Sequence, residues 1–115
     1  MEFPKSWYPL CRSHELKSAQ VIQVKALEQT LAVFRTEQGK PAAVKAQCCH
    51  IGADLSNGRV EGERLICTLH GWAFDKQGHC RHIPCQENIP KRLRQEALEC
   101  FECYGDVHTL SGGAS

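Results

Sequence analysis

Two short segments each place one cysteine and one histidine just ahead of a glycine. They are Cys48 and His50 in Gln47-Cys48-Cys49-His50-Ile51-Gly52-Ala53, and Cys67 and His70 in Cys67-Thr68-Leu69-His70-Gly71. Sixteen residues separate His50 from Cys67. Glycine lets the backbone turn tightly and approach a ligand closely, so each pair reads as a loop. Two such loops facing each other make a four-ligand site. In an extended loop, residues two apart point the same way and neighbours point to opposite sides. Cys48 and His50 therefore converge, while Cys49 turns away as a bystander.

The rest of the chain reads as a scaffold of short strands. At 115 residues there is room for one compact domain with a modest core, expected over residues 1–110 with a small-residue, flexible tail at 111–115. Stretches rich in β-branched and aromatic residues recur between turn signals, the pattern of an all-β domain. They are WYPLCR (7–12), AQVIQV (19–24, with an apparent break in alternation at Ile22), TLAVFR (30–35), AAVKA (42–46), RLICT (64–68), GWAFD (71–75) and CRHIP (80–84). TEQGKP (36–41), LSNG (55–58) and DKQGH (75–79) supply turns. ENIPKRLRQEALE (87–99) has helix-forming composition, but Pro90 interrupts its start, so it is expected to be mostly loop. LECFECYG (98–105) and DVHTL (106–110) read as a closing hairpin around Gly105.

Eight cysteines in so short a chain raise the question of a disulfide framework. The opening MEFPKSWYPLC has no apolar run of seven or more residues and does not read as a secretory signal, and nowhere do eighteen apolar residues run together. A cytoplasmic protein is expected, with no membrane segment, and in a reducing compartment cysteines bind metal, act in redox chemistry or sit buried. Fourteen Lys and Arg balance thirteen Asp and Glu, so no global charge points to nucleic acid.

Thiolate and imidazole ligands suit zinc or iron. Zinc knuckles usually pair like with like, whereas each loop here contributes one Cys and one His. That mixture suits a dinuclear iron-sulfur cluster in which one iron takes both cysteines and the other both histidines. The stretch CCHIGADLSNGRVEGERLICTLHGWAFDKQGHCRHIP resembles the Rieske 2Fe-2S domain, closest to the N-terminal domain of aromatic-ring-hydroxylating oxygenases and to Rieske-type ferredoxins. FPKSWYPLCRSHEL looks like an N-terminus of that group, so the resemblance covers roughly residues 3–105.

The resemblance implies small antiparallel sheets, two forming a base, with loops 48–53 and 67–72 and a third segment, 82–85, clamping one 2Fe-2S cluster at a tip. It places Cys48 and Cys67 on the inner iron and His50 and His70 on the outer, more exposed one, through which an electron enters or leaves. High-potential relatives add one cysteine to each loop and join them. Here Ala53 stands at the first such position and CTLHG has no second cysteine, so a potential toward the lower end of the roughly −150 to +300 mV range is expected. One-electron transfer feeding or belonging to an oxygenase system follows, with a reductase or terminal oxygenase as redox partner. Ile51 stands where ring-hydroxylating oxygenases commonly carry arginine. His14, His79, His82 and His108 show no carboxylate-partnered pattern for a mononuclear iron, so no catalytic residue is assigned. The alternatives are a small zinc-binding structural module on the same four ligands and a small subunit of a nitrite-reductase-like complex.

For the remaining residues the ordinary readings are structural. Cys11 is expected in a strand core, and Trp72 behind the second loop. Cys100 and Cys103 lie three apart on a strand, where they point to opposite faces and do not share a metal. Cys80 and Cys85 flank the third segment and are near enough in sequence to pair. Lys91, Arg92 and Arg94 form a basic cluster, with Arg81 and His82 expected nearby, suited either to solvent or to an acidic redox partner.

Overall fold

The computed structural model describes residues 7–47, 54–68, 71–85 and 87–110. Eleven strands run through them: β1 (Trp7–Arg12), β2 (Val21–Ala26), β3 (Gln29–Arg35), β4 (Pro41–Lys45), β5 (Arg59–Glu61), β6 (Arg64–Ile66), β7 (Ala73–Phe74), β8 (Cys80–His82), β9 (Ala97–Leu98), β10 (Cys100–Cys103) and β11 (Asp106–Leu110). They form three antiparallel sheets, ordered β1-β11-β10, β2-β3-β4-β9 and β5-β6-β7-β8. The all-β expectation of small antiparallel sheets is met, and the third sheet is an addition to the two expected at the base. No helix among the described residues is long and apolar enough to cross a membrane.

The central sheet is buried on both faces, and this explains its sequence. In β3 and β4, Ala32, Phe34, Ala42 and Val44 pack toward the third sheet with Val60, Leu65 and Phe74. Leu31, Val33 and Ala43, alternating with them, pack toward the first sheet with Leu10, Leu16 and Val107. A strand covered on both sides loses the apolar-polar alternation, so Leu31-Ala32-Val33-Phe34 reads as a continuous apolar run, all four fully buried. The apparent break at Ile22 has the same cause. Val21 faces one core, and Ile22 and Val24 face the other. Burying side chains such as Phe34, Phe74 and Leu65 stabilises the fold by roughly 2 kcal/mol each.

One polar clasp ties the central sheet to the first. Arg35 makes a two-pronged ion pair with Glu102 of β10, at 2.7 and 2.8 Å, and its guanidinium also donates to the Leu16 carbonyl at 2.6 Å and the Gly39 carbonyl at 2.8 Å. Its planar fork suits this bidentate geometry. The closing hairpin turns at Tyr104-Gly105, with Cys103 opposite Asp106, as its sequence suggests. Segment 87–96 is irregular, and only the residues that follow it, Ala97–Leu98, add a short edge strand beside β4.

Candidate functional site

The third sheet carries the ends of the second loop, between β6 and β7, whereas the first loop follows β4 of the central sheet and ends at the turn Leu55–Asn57. Of the four candidate ligands, Cys67 lies among the described residues, while Cys48, His50 and His70 lie outside them, as do Cys49 and Ala53. Cys67 follows β6 directly and is 1% exposed, within the core formed by Leu65, Phe74 and Ile83. Its N–H donates to the Trp72 carbonyl at 2.8 Å, and the Gly71 N–H donates to the Cys67 carbonyl at 2.8 Å. The two bonds close a tight reversal of the chain. Trp72 packs, half-buried, against the same core.

Gly71 has φ +72°, and a Cβ there would sit 3.2 Å from Cγ of Pro84. Both observations call for glycine. They also show the third segment against the second loop. Ile83 is buried in the shared core and Pro84 reaches Gly71. The surroundings of Cys67 suit a soft metal: a free thiol, enclosed by apolar side chains, at the start of a turn that Gly71 closes.

The residues flanking 48–53 are held together from below. Gln47 and Asp54 form an antiparallel bridge, and the Leu55 N–H donates to the Ala46 carbonyl at 2.6 Å. Asp54 caps the 3-10 turn Leu55–Asn57 by accepting from the Ser56 N–H at 2.9 Å, and its other oxygen accepts from the Gln23 side-chain amide at 2.9 Å. Asp and Asn are favoured at this position because the side chain satisfies an N–H the turn leaves open. LSNG thus acts as a capped turn that launches β5. Gly58 then passes so close to β6 that a Cβ would meet the Ile66 carbonyl.

A residue without a sequence signal joins these parts. Gln95 is 2% exposed, and its amide donates to the Lys45 carbonyl at 2.7 Å and to the Gln47 carbonyl, one residue before Cys48. Its backbone N–H donates to the Gly78 carbonyl at 2.6 Å in the β7–β8 turn. Gly78 has φ +85°, and a Cβ there would overlap the Gln95 carbonyl. Gln95 therefore fixes the irregular segment 87–96 against both the first loop's base and the hairpin below the third segment.

That hairpin is braced by Asp75, which accepts from the N–H groups of Gln77 at 3.0 Å and His79 at 2.9 Å and from Arg81 Nε at 2.6 Å. Partial burial pushes its pKa up, but the Arg81 and backbone hydrogen bonds outweigh this and hold the carboxyl below its ordinary range. The Asp75-x-x-Gly78 turn signal was legible, whereas the carboxylate's partners were not.

The other described cysteines differ in burial. Cys11, Cys85, Cys100 and Cys103 are free thiols, so Cys85, exposed, forms no bridge to Cys80, which is buried. Burial, reinforced by Cys11 and Glu99, pushes Cys100 up to about 12, and burial raises Cys11 as well. Neither thiol ionises readily near neutrality. Both pack against the core between the first and central sheets. Arg81 does line one cleft with Lys91 and Arg94, but His82, next along β8, faces a different one near Glu61 and Arg64.

Comparison with known proteins gives a consistent answer. The family described as Rieske [2Fe-2S] domain matches residues 6–105. Cholesterol 7-desaturase nvd 1 of Ciona intestinalis is 41% identical over 101 residues, 87% of this chain and 22% of that protein. Chloroplastic chlorophyllide a oxygenase of Arabidopsis thaliana is 31% identical over 92% of this chain and 19% of its own length. Among solved structures, NdmA of Pseudomonas putida CBB5 superposes with a TM-score of 0.85 at 31% identity, covering 94% of this chain and 34% of that one. Dicamba monooxygenase bound to dicamba does so with a TM-score of 0.86 at 30% identity, over 92% and 32%. The chain thus spans between a fifth and a third of the length of these proteins.

Proposed function

The chain belongs to the Rieske [2Fe-2S] domain family, and from that premise we propose that it carries single electrons for an oxygenase-type system, Cys48 and Cys67 holding one iron and His50 and His70 the other. The observation that carries the reading is the family match across 6–105, which includes both ligand pairs, together with a buried free Cys67 whose turn is closed by Gly71, with Pro84 against that glycine. A bound 2Fe-2S cluster supplies a one-electron redox couple. The protein's own residues supply the rest. Leu65, Phe74 and Ile83 restrict water around Cys67, and the Trp72 and Gly71 hydrogen bonds fix its backbone. With Ala53 and no second cysteine in CTLHG, no inter-loop disulfide raises the potential, which is placed toward the lower end of about −150 to +300 mV.

Relatives that share this domain are named as oxygenases and a sterol desaturase, each several times longer. We therefore infer that the electron's destination is an oxygenase iron, on the same polypeptide or on a partner, and that a reductase supplies it. Residues 1–110 act as one unit in this reading, in a cytoplasmic setting.

The test is metal and acid-labile sulfide analysis with visible and electron paramagnetic resonance spectra. Iron and sulfide in equal amounts are expected, about two of each per chain. Cys67→Ser and His70→Cys change or abolish the spectrum, and Cys49→Ser leaves it intact. Colourless protein with one zinc per chain and no sulfide overturns the proposal and favours the zinc-module alternative. An unchanged spectrum in His70→Cys removes that ligand.

A further inference from the structure

Two clefts meet at Arg94. One, of about 550 Å³, lies between β8 and segment 89–94 and is floored by Ile89 and Leu93. The other, of about 580 Å³, lies between the start of β4, the β7–β8 turn and β9, with Ala42 and Leu98 in its wall. Lys91 and Arg94 stand over the first, and Lys40, Lys76 and Arg94 over the second. Arg81, also in the first, is already paired with Asp75 at 2.6 Å. Lys40, Lys76, Lys91 and Arg94 make no ion pair with any described residue, and among the described residues Glu99 is the one carboxylate lining either cleft. In contrast, Arg12, Arg35, Lys45 and Arg59 are each matched with a carboxylate.

The surface is built on fixed backbone. The Cys80 N–H donates to the Leu93 carbonyl at 3.2 Å, the Leu93 N–H donates to the Pro90 carbonyl at 3.0 Å, and His79 bridges Arg94. An apolar floor under unmatched cations suits a chain that is acidic and apolar by turns. It suits nucleic acid less, since the described lining offers no Phe, Tyr or Trp as a platform for bases. The first cleft also adjoins β8, which runs straight into Ile83 and Pro84 beside Gly71.

We propose that this double cleft is the docking surface for an acidic, partly apolar polypeptide segment of the protein that exchanges electrons with this chain, Lys91 and Arg94 holding its carboxylates over Ile89 and Leu93 while Lys40 and Lys76 guide its continuation. The occupant's identity as a redox partner rests on the carrier reading above. Cationic surfaces of this kind act chiefly by raising the association rate, and the effect weakens as salt shortens the screening length to about 8 Å at physiological ionic strength.

The probe is a fluorescent peptide of alternating glutamate and leucine, titrated against the intact cluster-loaded protein by anisotropy at low and physiological ionic strength. The double variant Lys91→Glu/Arg94→Glu should raise the dissociation constant at least about tenfold at low salt. Lys40→Glu/Lys76→Glu should weaken the same peptide, and Lys17→Glu, exposed and outside both clefts, should not. Iron, sulfide and reduction by dithionite are measured on each variant. If the cluster is present and reducible in all of them but the peptide binds the Lys91/Arg94 variant as well as the parent, the docking surface is wrong and the carrier reading stands. If no cluster is found in the parent, the carrier reading fails first. Loss of binding in the Lys91/Arg94 variant with no effect at Lys40/Lys76 overturns the joined surface. Equal, charge-dependent binding to phosphatidylserine vesicles overturns the choice of a polypeptide occupant.

Discussion

Replacing Gln95 should loosen the site's base more than any other single polar change in the third sheet's surroundings. The side chain is buried and serves two backbone carbonyls, those of Lys45 and Gln47. Gln95→Met keeps the volume and removes both donors. Leaving a buried acceptor unsatisfied costs roughly 1–3 kcal/mol; Lys45 and Gln47 are exposed enough to recover water in part, so about 1 kcal/mol each, or about 2 in all, is expected. Gln95→Ala adds about 1 kcal/mol for lost packing. At about 4 °C per kcal/mol for a domain of this size, that variant melts about 12 °C lower.

Gln95→Glu separates the hydrogen-bond argument from a packing one. Ionised, its carboxylate would face two carbonyl oxygens; protonated, it offers one donor. Its folded pKa is therefore raised above the unfolded value of about 4.3. Stability contributed by the neutral form is fully present below that value and is lost as pH rises through the folded pKa. Urea denaturation followed by circular dichroism should show Gln95→Glu close to Gln95→Met near pH 4 and clearly less stable at pH 7. A gap between these two variants that does not change with pH, or a Gln95→Met protein within about 0.5 kcal/mol of the parent, would refute the reasoning.

Glycine substitutions should divide by environment: Gly39→Ala has open space around its Cβ, while Gly78→Ala meets the Gln95 carbonyl, so the first should cost about 1 kcal/mol for its left-handed backbone and the second about 3 or more, read from denaturation midpoints. Glu102 is held below its ordinary pKa first by its hydrogen bond from Arg35. Its contribution is therefore present above the unfolded pKa and lost as pH falls through the folded one. Glu102→Gln should be less stable than the parent by about 1 kcal/mol at pH 7, after allowing for solvent screening. The difference should fade below about pH 4, and a constant difference down to pH 2 would discard the ion-pair explanation. Phe74→Ala, emptying a fully buried site in the core shared with Cys67, should cost about 3–5 kcal/mol and release iron at lower denaturant than the parent.

The chain's local chemistry settled a good deal unaided. WYPLCR matches β1 residue for residue, the Tyr104-Gly105 turn closes β10 onto β11, and Pro90 keeps 87–96 from forming a helix. These features depend on short-range causes: turn glycines, proline and β-branched runs. The same holds for the two Cys/His pairs, whose membership in the Rieske [2Fe-2S] family is carried by motif and spacing. Other features depended on what packs against what. The apparent break at Ile22 dissolves because the central sheet is covered on both faces, a fact that no window of neighbouring residues contains. Cys80 and Cys85 are close in sequence yet differ in burial, and Cys85 is a free thiol. Gln95 lies fifty residues from Lys45, and an isolated glutamine in a polar segment carries no sign that it will be buried. Sequence by itself determined most of the strands and turns, because those follow from the preferences of adjacent residues. Tertiary structure alone decided which strands share a core, where Gln95 clasps the carbonyls of Lys45 and Gln47 and where cations gather around Arg94, because burial and charge pairing are set by residues distant along the chain.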